Sequence, residues 1–213
     1  NKNNSELVIF LRSIGIDILI DINGVFGKGR IEIFNSRVCR LQISWLGYNN
    51  TIGLYHSDYL ISDKNLVLEN EKNLYKEKII YLNGIWNSHS GLNIEREFNK
   101  PPLQNSDFFT LGSFNNYTKI SDETVSVWTE ILKKIKNSKL ILKSSVTYSE
   151  IHFSEIFERE GVLNKVIFKD RPKNFEEHIN LYKDIDLCLD TFPYTGVTTT
   201  CEALWMNVPV ISM

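Results

Sequence analysis

The strongest constraint on this chain is a rhythm: short apolar runs alternate with longer stretches whose apolar residues recur at helical spacing. The runs fall at residues 17–20, 41–45, 59–61, 78–82, 108–112, 140–142, 166–168, 187–189 and 208–211. Most are unbroken rather than alternating, which is how strands covered on both faces read. Helical patterns lie between the later runs. Ser121 is a candidate N-cap, and Asp122 and Glu123 follow in a first turn that favours negative charge. Val125, Trp128, Ile131, Leu132 and Ile135 then repeat at helical spacing, with Lys133, Lys134 and Lys136 at the close. Residues 149–160, 174–183 and 198–206 read as three further helices. Strands alternating with helices predict an α/β fold with parallel sheets. A polar stretch at 95–107, carrying Pro101 and Pro102, breaks the rhythm and predicts an interdomain linker. It divides the chain into residues 1–102 and 103–213.

Bulk properties narrow the function classes. A formal charge of -2 over 213 residues gives no global electrostatic argument for nucleic acid or an anionic membrane. No apolar run is long enough to span a bilayer, and the first six residues lack the basic and apolar regions of a signal peptide. Cys39, Cys188 and Cys201 form no CxxC pair and have no metal-ligand spacing with His. Each sits among apolar neighbours, which reads as small core residues in a reducing, cytoplasmic compartment. The chain lacks an initial Met and stops within an apolar run, so it reads as a piece of a longer polypeptide.

In open α/β sheets, ligands bind outside the carboxyl ends of the strands, so the loops after strands are the candidate sites. Three carry unusual polar residues. After 187–189 comes Asp190-Thr191-Phe192-Pro193-Tyr194-Thr195-Gly196-Val197-Thr198-Thr199-Thr200, and then a helix with Glu202. Gly196 followed by consecutive threonines at a helix start can aim N–H groups and hydroxyls at an anion, and the helix dipole adds attraction for phosphate. Glu202 lies one turn after Thr198, where a carboxylate could accept from ribose hydroxyls. Thr is equally an ordinary N-cap, and Glu an ordinary first-turn residue. After 108–112 comes Ser113-Phe114-Asn115-Asn116-Tyr117-Thr118-Lys119-Ile120. Lys119 just ahead of a helix opposes the positive dipole end, a conflict that a bound polyanion would resolve; a solvated surface lysine is the alternative. The third loop, Asp170-Arg171-Pro172-Lys173, leads into a helix carrying His178. A lone helical His is as readily a structural residue. The glycine-rich segment at 24–30 has neither Walker nor dinucleotide spacing and reads as a turn before a helix at 30–36.

The stretches Asp21-Ile22-Asn23-Gly24, Gln42-Ile43-Ser44-Trp45-Leu46-Gly47-Tyr48, Asp58-Tyr59-Leu60-Ile61-Ser62-Asp63 and Tyr75-Lys76-Glu77-Lys78 follow one another in the first half. Gly112-Ser113-Phe114-Asn115-Asn116 with Lys119-Ile120, Leu189-Asp190-Thr191-Phe192-Pro193-Tyr194, and Thr198-Thr199-Thr200-Cys201-Glu202-Ala203-Leu204-Trp205 with Val208-Pro209-Val210 follow in the second. In this order they resemble the catalytic region of the protein O-GlcNAc transferases and their Spindly-like relatives, glycosyltransferase family 41. The resemblance implies a GT-B fold, with parts of two Rossmann-like domains of which the second holds the nucleotide-sugar. It implies transfer of N-acetylglucosamine from UDP-GlcNAc to Ser/Thr hydroxyls of a protein acceptor, with no cofactor and no metal. Lys119 matches the lysine on the donor diphosphate and is the implied catalytic residue. Asn116 matches a position often occupied by Gln or Asn, and His178 matches a histidine on the nucleotide. Gly196, Thr198 and Thr199 match the phosphate-binding turn, Glu202 an acidic residue on the ribose, and Lys173 a lysine beside the base.

Val25 and Phe26 stand where bacterial members often have His-Thr, and Val197 where Gly or His is common. The resemblance further implies that upstream helical repeats, the histidine usually discussed as catalytic and a later Ser-Arg pair belong to other parts of the full-length protein. The alternative readings are an inactive nucleotide-sugar-binding piece, or a relative with another donor such as GDP-fucose.

Overall fold

Each apolar run becomes a parallel strand. The computed structural model describes residues 3–25, 27, 29–94, 100–143 and 148–212. The chain divides into two units, Asn1–His89 and Ser90–Met213.

In the first unit, strands β1 (Ile18–Asp21), β2 (Leu41–Ser44), β3 (Tyr59–Ser62) and β4 (Lys78–Tyr81) form a parallel sheet in chain order. A helix that the sequence rhythm did not single out, α1 (Asn4–Ser13), precedes them. It opens on a capping box in which Asn3 Oδ1 accepts from Glu6 N and Glu6 Oε2 accepts from Asn3 N, both at 2.9 Å. Its Leu7, Val8 and Leu11 pack with Ile33, Val38 and Cys39. The helix expected at 30–36 is a 3-10 turn, Ile31–Asn35. Phe26 and Lys28 of the glycine-rich segment lie outside the described residues.

Burial on both faces holds for β2 but not for β1 and β4, where every second residue is exposed. Both are edge strands of this sheet, and their outward faces are left partly open. Polar ties fix the register of the loops. Gln42 is fully buried; its Oε1 accepts from Val38 N at 2.7 Å and its Nε2 donates to His56 O at 2.9 Å. Beside it, the Arg37 guanidinium forks onto both carboxylate oxygens of Asp58.

The second unit runs strand–helix–strand throughout: β5 (Phe109–Ser113), α2 (Asp122–Lys134), β6 (Ser138–Lys143), α3 (Tyr148–Arg159), β7 (Val166–Lys169), α4 (Phe175–Asn180), β8 (Leu187–Leu189), α5 (Thr198–Trp205) and β9 (Val210–Ile211). The Ser121 N-cap forms as expected, its hydroxyl accepting from Thr124 N at 3.2 Å. The helix expected at 174–183 stops at Asn180 and tightens into a 3-10 turn, Leu181–Asp184. All neighbours in the order β7-β6-β5-β8-β9 are parallel.

The period of two sorts side chains to both faces. Leu140 and Leu142 join Trp128, Leu132 and Phe157 on the α2–α3 side. Ile141 joins Phe114, Tyr182 and Ala203 on the α4–α5 side. Gly112 in the central strand gives Ile185 room: a Cβ there would come within 2.6 Å of Ile185 Cγ2.

The two units separate between residues 89 and 90, whereas the sequence reading drew the line after residue 102. Leu92 and Ile94 pack against the core of the second unit, and Gly91 lies under the Trp205 indole. Residues 95–99 of the expected linker lie outside those described.

Candidate functional site

The strand order of the second unit sets where a ligand can go. From β5 the chain moves outward to β6 and β7, then returns to the other side of β5 with β8. The direction of winding reverses between β5 and β8, and the crevice at their carboxyl ends is the switch point where open α/β sheets bind ligands. The loops at 114–120 and 190–197 both leave from there.

Lys119 closes a 3-10 turn, Tyr117–Lys119, ahead of α2. Its side chain turns to the other loop: Nζ donates to Thr195 O at 3.2 Å and sits 4.6 Å from the Tyr194 ring centroid. Burial pushes its pKa below the ordinary lysine value, and the Asp190 carboxylate opposes that shift. One N–H of the ammonium is engaged by Thr195, leaving two for another acceptor.

The start of α5 lacks a side-chain cap. Val197 stands at the N-cap and offers no acceptor, so the first N–H groups of the helix are open to an anion. Thr198 is exposed, and its hydroxyl has no hydrogen-bond partner among the described residues. Thr199 is half-buried and its hydroxyl donates to Asn115 Oδ1 at 2.7 Å. Gly196 is a place of close approach: a Cβ there would lie 2.5 Å from Thr199 Oγ1 and 3.0 Å from Asn115 Oδ1.

A second cluster lies one turn along α5. Glu202 is buried; its Oε2 is 2.9 Å from His178 Nε2 and accepts from Tyr182 OH at 3.0 Å. The Tyr182 hydroxyl is also 3.1 Å from Thr199 O, so it ties α5 to the segment after α4. His178 and Glu202 are thus brought together.

Lys173 is not brought to this cluster. It is exposed, and only its backbone N–H is tied down, to Glu177 Oε2 at 2.7 Å. Asn116 is exposed too and caps its own turn, accepting from Thr118 N at 3.1 Å.

Sequence reasoning passed over four residues. Asn115, rather than Asn116, is the buried member of its pair. Asp190 ties the 190–196 loop together. Tyr182 contacts Glu202. Lys143 ends β6 half-buried; burial lowers its pKa, the Glu202 charge opposes that, and the Arg171 charge adds to it. For Lys143 and Asp190 the signal was available, since each stands where a buried strand ends.

Asp184-Ile185-Asp186 has the Asp-x-Asp spacing of many metal sites, but it precedes β8, at the end of the strand away from the crevice. There Asp186 is buried and accepts from Leu103 N and Thr110 N, each at 2.8 Å. Asp184 faces Lys169 at 3.5 Å. Among the described residues no group of three His, Cys, Asp or Glu side chains could hold a metal ion, and no helix is long and apolar enough to cross a membrane.

The comparisons with known proteins agree with this geometry. The profile of glycosyl transferase family 41 matches residues 5–89 and 103–213. The probable UDP-N-acetylglucosamine–peptide N-acetylglucosaminyltransferase SPINDLY of Eustoma exaltatum subsp. russellianum is 32% identical over 99% of this chain, which spans 23% of that relative's length. The probable enzyme of the same description named SEC, from Arabidopsis thaliana, is 31% identical over 93% of this chain and 21% of its own length. Among solved structures, a mutant of the Thermobaculum terrenum O-GlcNAc transferase superposes with a TM-score of 0.86 at 29% identity, covering 99% of this chain and 40% of that one. The match identifies the fold as GT-B, with parts of two Rossmann-like domains. On the family profile and the match to these relatives, this chain belongs to glycosyltransferase family 41.

Proposed function

We propose that this chain is the donor-binding part of a protein O-GlcNAc transferase, and that its second unit holds UDP-GlcNAc at the β5–β8 crevice. The observation that carries this reading is the meeting of Lys119 with the segment that opens α5. A diphosphate seated there has an ammonium on one side and an uncapped helix N-terminus on the other. The sugar passes from the diphosphate to a Ser or Thr hydroxyl of a protein acceptor, and negative charge builds on the departing group. Lys119 and the N–H groups of Thr198 and Thr199 stabilise that charge without a metal. Glu202 of α5 and His178 of α4, paired at 2.9 Å, face the nucleoside, with Asn116 and Gly196 beside the phosphates. Lys173, on the exposed segment before α4, is the residue proposed to meet the base.

The relatives' descriptions support a UDP-sugar donor and a peptide acceptor. Their greater length is consistent with further segments in the full-length protein, for which we propose helical repeats that present the acceptor. Three free cysteines fit a reducing, cytoplasmic setting. The test is a titration of the full-length protein with UDP and with GDP in the presence of a chelator, followed by thermal melting. Protection by UDP is the expected outcome. Protection by GDP alone would turn the assignment to a guanine-nucleotide donor, and protection only after adding Mg²⁺ or Mn²⁺ would overturn the metal-free mechanism.

A further inference from the structure

Asp190 ends β8 and gathers four hydrogen bonds on one carboxylate. Oδ1 accepts from Thr191 N at 2.8 Å, from Gly196 N at 2.7 Å and from Asn115 Nδ2 at 3.3 Å, while Oδ2 accepts from Ser212 Oγ at 2.8 Å. The loop is therefore closed on its own first residue, and inside it Thr191 Oγ1 donates to Tyr194 O at 2.6 Å. Everything proposed to grip the diphosphate hangs on that loop. Thr195 O and the Tyr194 ring hold the Lys119 ammonium, and Gly196 leads directly into the open start of α5. Asn115, fixed by Asp190, in turn accepts from Thr199.

On charge alone, a carboxylate beside a phosphate site is unfavourable. Its four donors give a different reason for its presence. We propose that Asp190 is a positioning residue for sugar transfer: acting through Gly196 and Asn115, it sets the spacing between the Lys119 ammonium and the α5 N-terminus without touching the donor. This rests on the donor site proposed above. Asp190 is also the charged group that faces Lys119 from the opposite loop, where the Tyr194 ring and the Thr195 carbonyl are its other neighbours. The carboxylate counteracts the lowering of the Lys119 pKa by burial.

Two substitutions separate geometry from charge. Asp190→Asn keeps an oxygen for the Thr191, Gly196 and Asn115 donors and removes the charge. Asp190→Ala removes both. Wild type and variants of the full-length protein are titrated with UDP, and UDP release from UDP-GlcNAc is followed across pH. Asp190→Asn is expected to stay close to wild type at neutral pH while its alkaline limb moves to lower pH, because Lys119 loses the opposing charge. Asp190→Ala is expected to lose about 100-fold in kcat, the scale of a small misplacement of catalytic groups, while remaining folded by circular dichroism.

If both variants keep the wild-type kcat and the same alkaline limb, and differ only in melting temperature, Asp190 is merely structural and the proposal is overturned. Should Asp190→Ala fail to fold, Asp190→Glu decides: it keeps the charge and shifts the carboxylate by one methylene, so kcat should fall while the alkaline limb stays in place, and an unchanged kcat overturns the proposal. A wild-type protein that neither binds UDP nor releases it from UDP-GlcNAc removes the donor site itself, and this role with it. That outcome is distinct from an active wild type matched by both variants.

Discussion

The hydroxyl of Thr199 donates to Oδ1 of Asn115 at 2.7 Å. The direction of that bond is fixed by a third residue. Asp190 accepts from Asn115 Nδ2 at 3.3 Å, so the amide nitrogen points to the carboxylate and the amide oxygen to Thr199. The Thr199 proton is thereby committed within the protein, so in the proposed donor site this residue would offer an anion its backbone N–H rather than its hydroxyl. Thr198, exposed at the same helix start, has its hydroxyl uncommitted among the described residues and would offer it to the proposed donor.

The two threonines should therefore respond differently to the same change. Thr198→Val is expected to weaken UDP binding by about 10-fold, the loss of one hydrogen bond to a charged group, with little change in melting temperature. Thr199→Val is expected to do the reverse. It leaves Asn115 Oδ1 buried without its donor, at a cost of about 1–3 kcal/mol in stability, while its N–H remains for the phosphate. Paired calorimetric titrations and thermal melts read both quantities. Equal losses of affinity in the two variants would contradict the assignment.

Lys119 should show a separation of activity from stability. Its folded-state pKa lies below the ordinary lysine value because burial disfavours the ammonium. A lysine whose pKa is lowered on folding makes the charged fold less favourable, so Lys119→Ala is expected to fold at least as well as wild type near neutral pH. Its transfer rate should fall by about 100- to 1000-fold, as when one stabilising donor is removed from a developing charge. Lys119→Arg should restore little, since a planar fork replaces a compact charge. In wild type, activity should decline on the alkaline side as pH rises through the lowered pKa, reached before the ordinary value of 10.5. A rate unchanged up to that value would remove the ammonium from the mechanism.

The strand positions were legible in the sequence because buried parallel strands leave unbroken apolar runs, as at 140–142 and 187–189. The candidate site was legible as two loops after strands, and the structure brings Lys119 to Thr195 in the loop that leads into α5. What the sequence could not show is which of two adjacent residues turns inward. Asn115 and Asn116 are chemically identical, and only the path of the chain after β5 makes one a buried tie and the other an exposed cap. The first helix was missed because Ile9, Phe10 and Ile14 stay exposed and blur its apolar stripe. Its Asn3–Glu6 capping box was the available signal. Trp45 and Trp205 lie in apolar stretches of the sequence yet are only half-buried: the Trp45 indole reaches Trp86 O at 3.0 Å, and Trp205 covers Gly91.

In the first unit, the fork of Arg37 onto Asp58 predicts an acid-sensitive tie. The bond to Arg37 holds the Asp58 carboxyl below its ordinary value of 3.8, against a smaller opposing effect of burial. A carboxylate with a lowered folded pKa adds stability that is complete above the ordinary value and lost as pH falls through the folded one. Asp58→Asn should lower the melting temperature at neutral pH, by an amount corresponding to about 1 kcal/mol for a partly exposed pair. The difference from wild type should shrink as the pH drops below 3.8. A difference that stays constant would mean that the charge of Asp58 contributes nothing.

Glu202 should be costly to remove and informative when neutralised. Its carboxylate is buried and serves two partners, His178 Nε2 at 2.9 Å and Tyr182 OH at 3.0 Å. Glu202→Ala removes the partner of His178 Nε2, leaves the Tyr182 hydroxyl with Thr199 O alone, and empties the space of a buried side chain. A buried polar group left without its partner costs about 1–3 kcal/mol, and the vacated volume adds to that, so this variant should be destabilised whatever its role in binding. Glu202→Gln keeps the shape, and its amide oxygen can still accept from Tyr182. The fold should then survive, with a loss of a few degrees at most. If Glu202 also accepts from the ribose hydroxyls, the weaker neutral acceptor should lower affinity for UDP while leaving affinity for inorganic pyrophosphate unchanged, because pyrophosphate meets only Lys119 and the start of α5. Competition of the two ligands against a fluorescent nucleotide measures this directly. A parallel loss for UDP and pyrophosphate would assign Glu202 to holding α5 in place and remove it from nucleoside recognition.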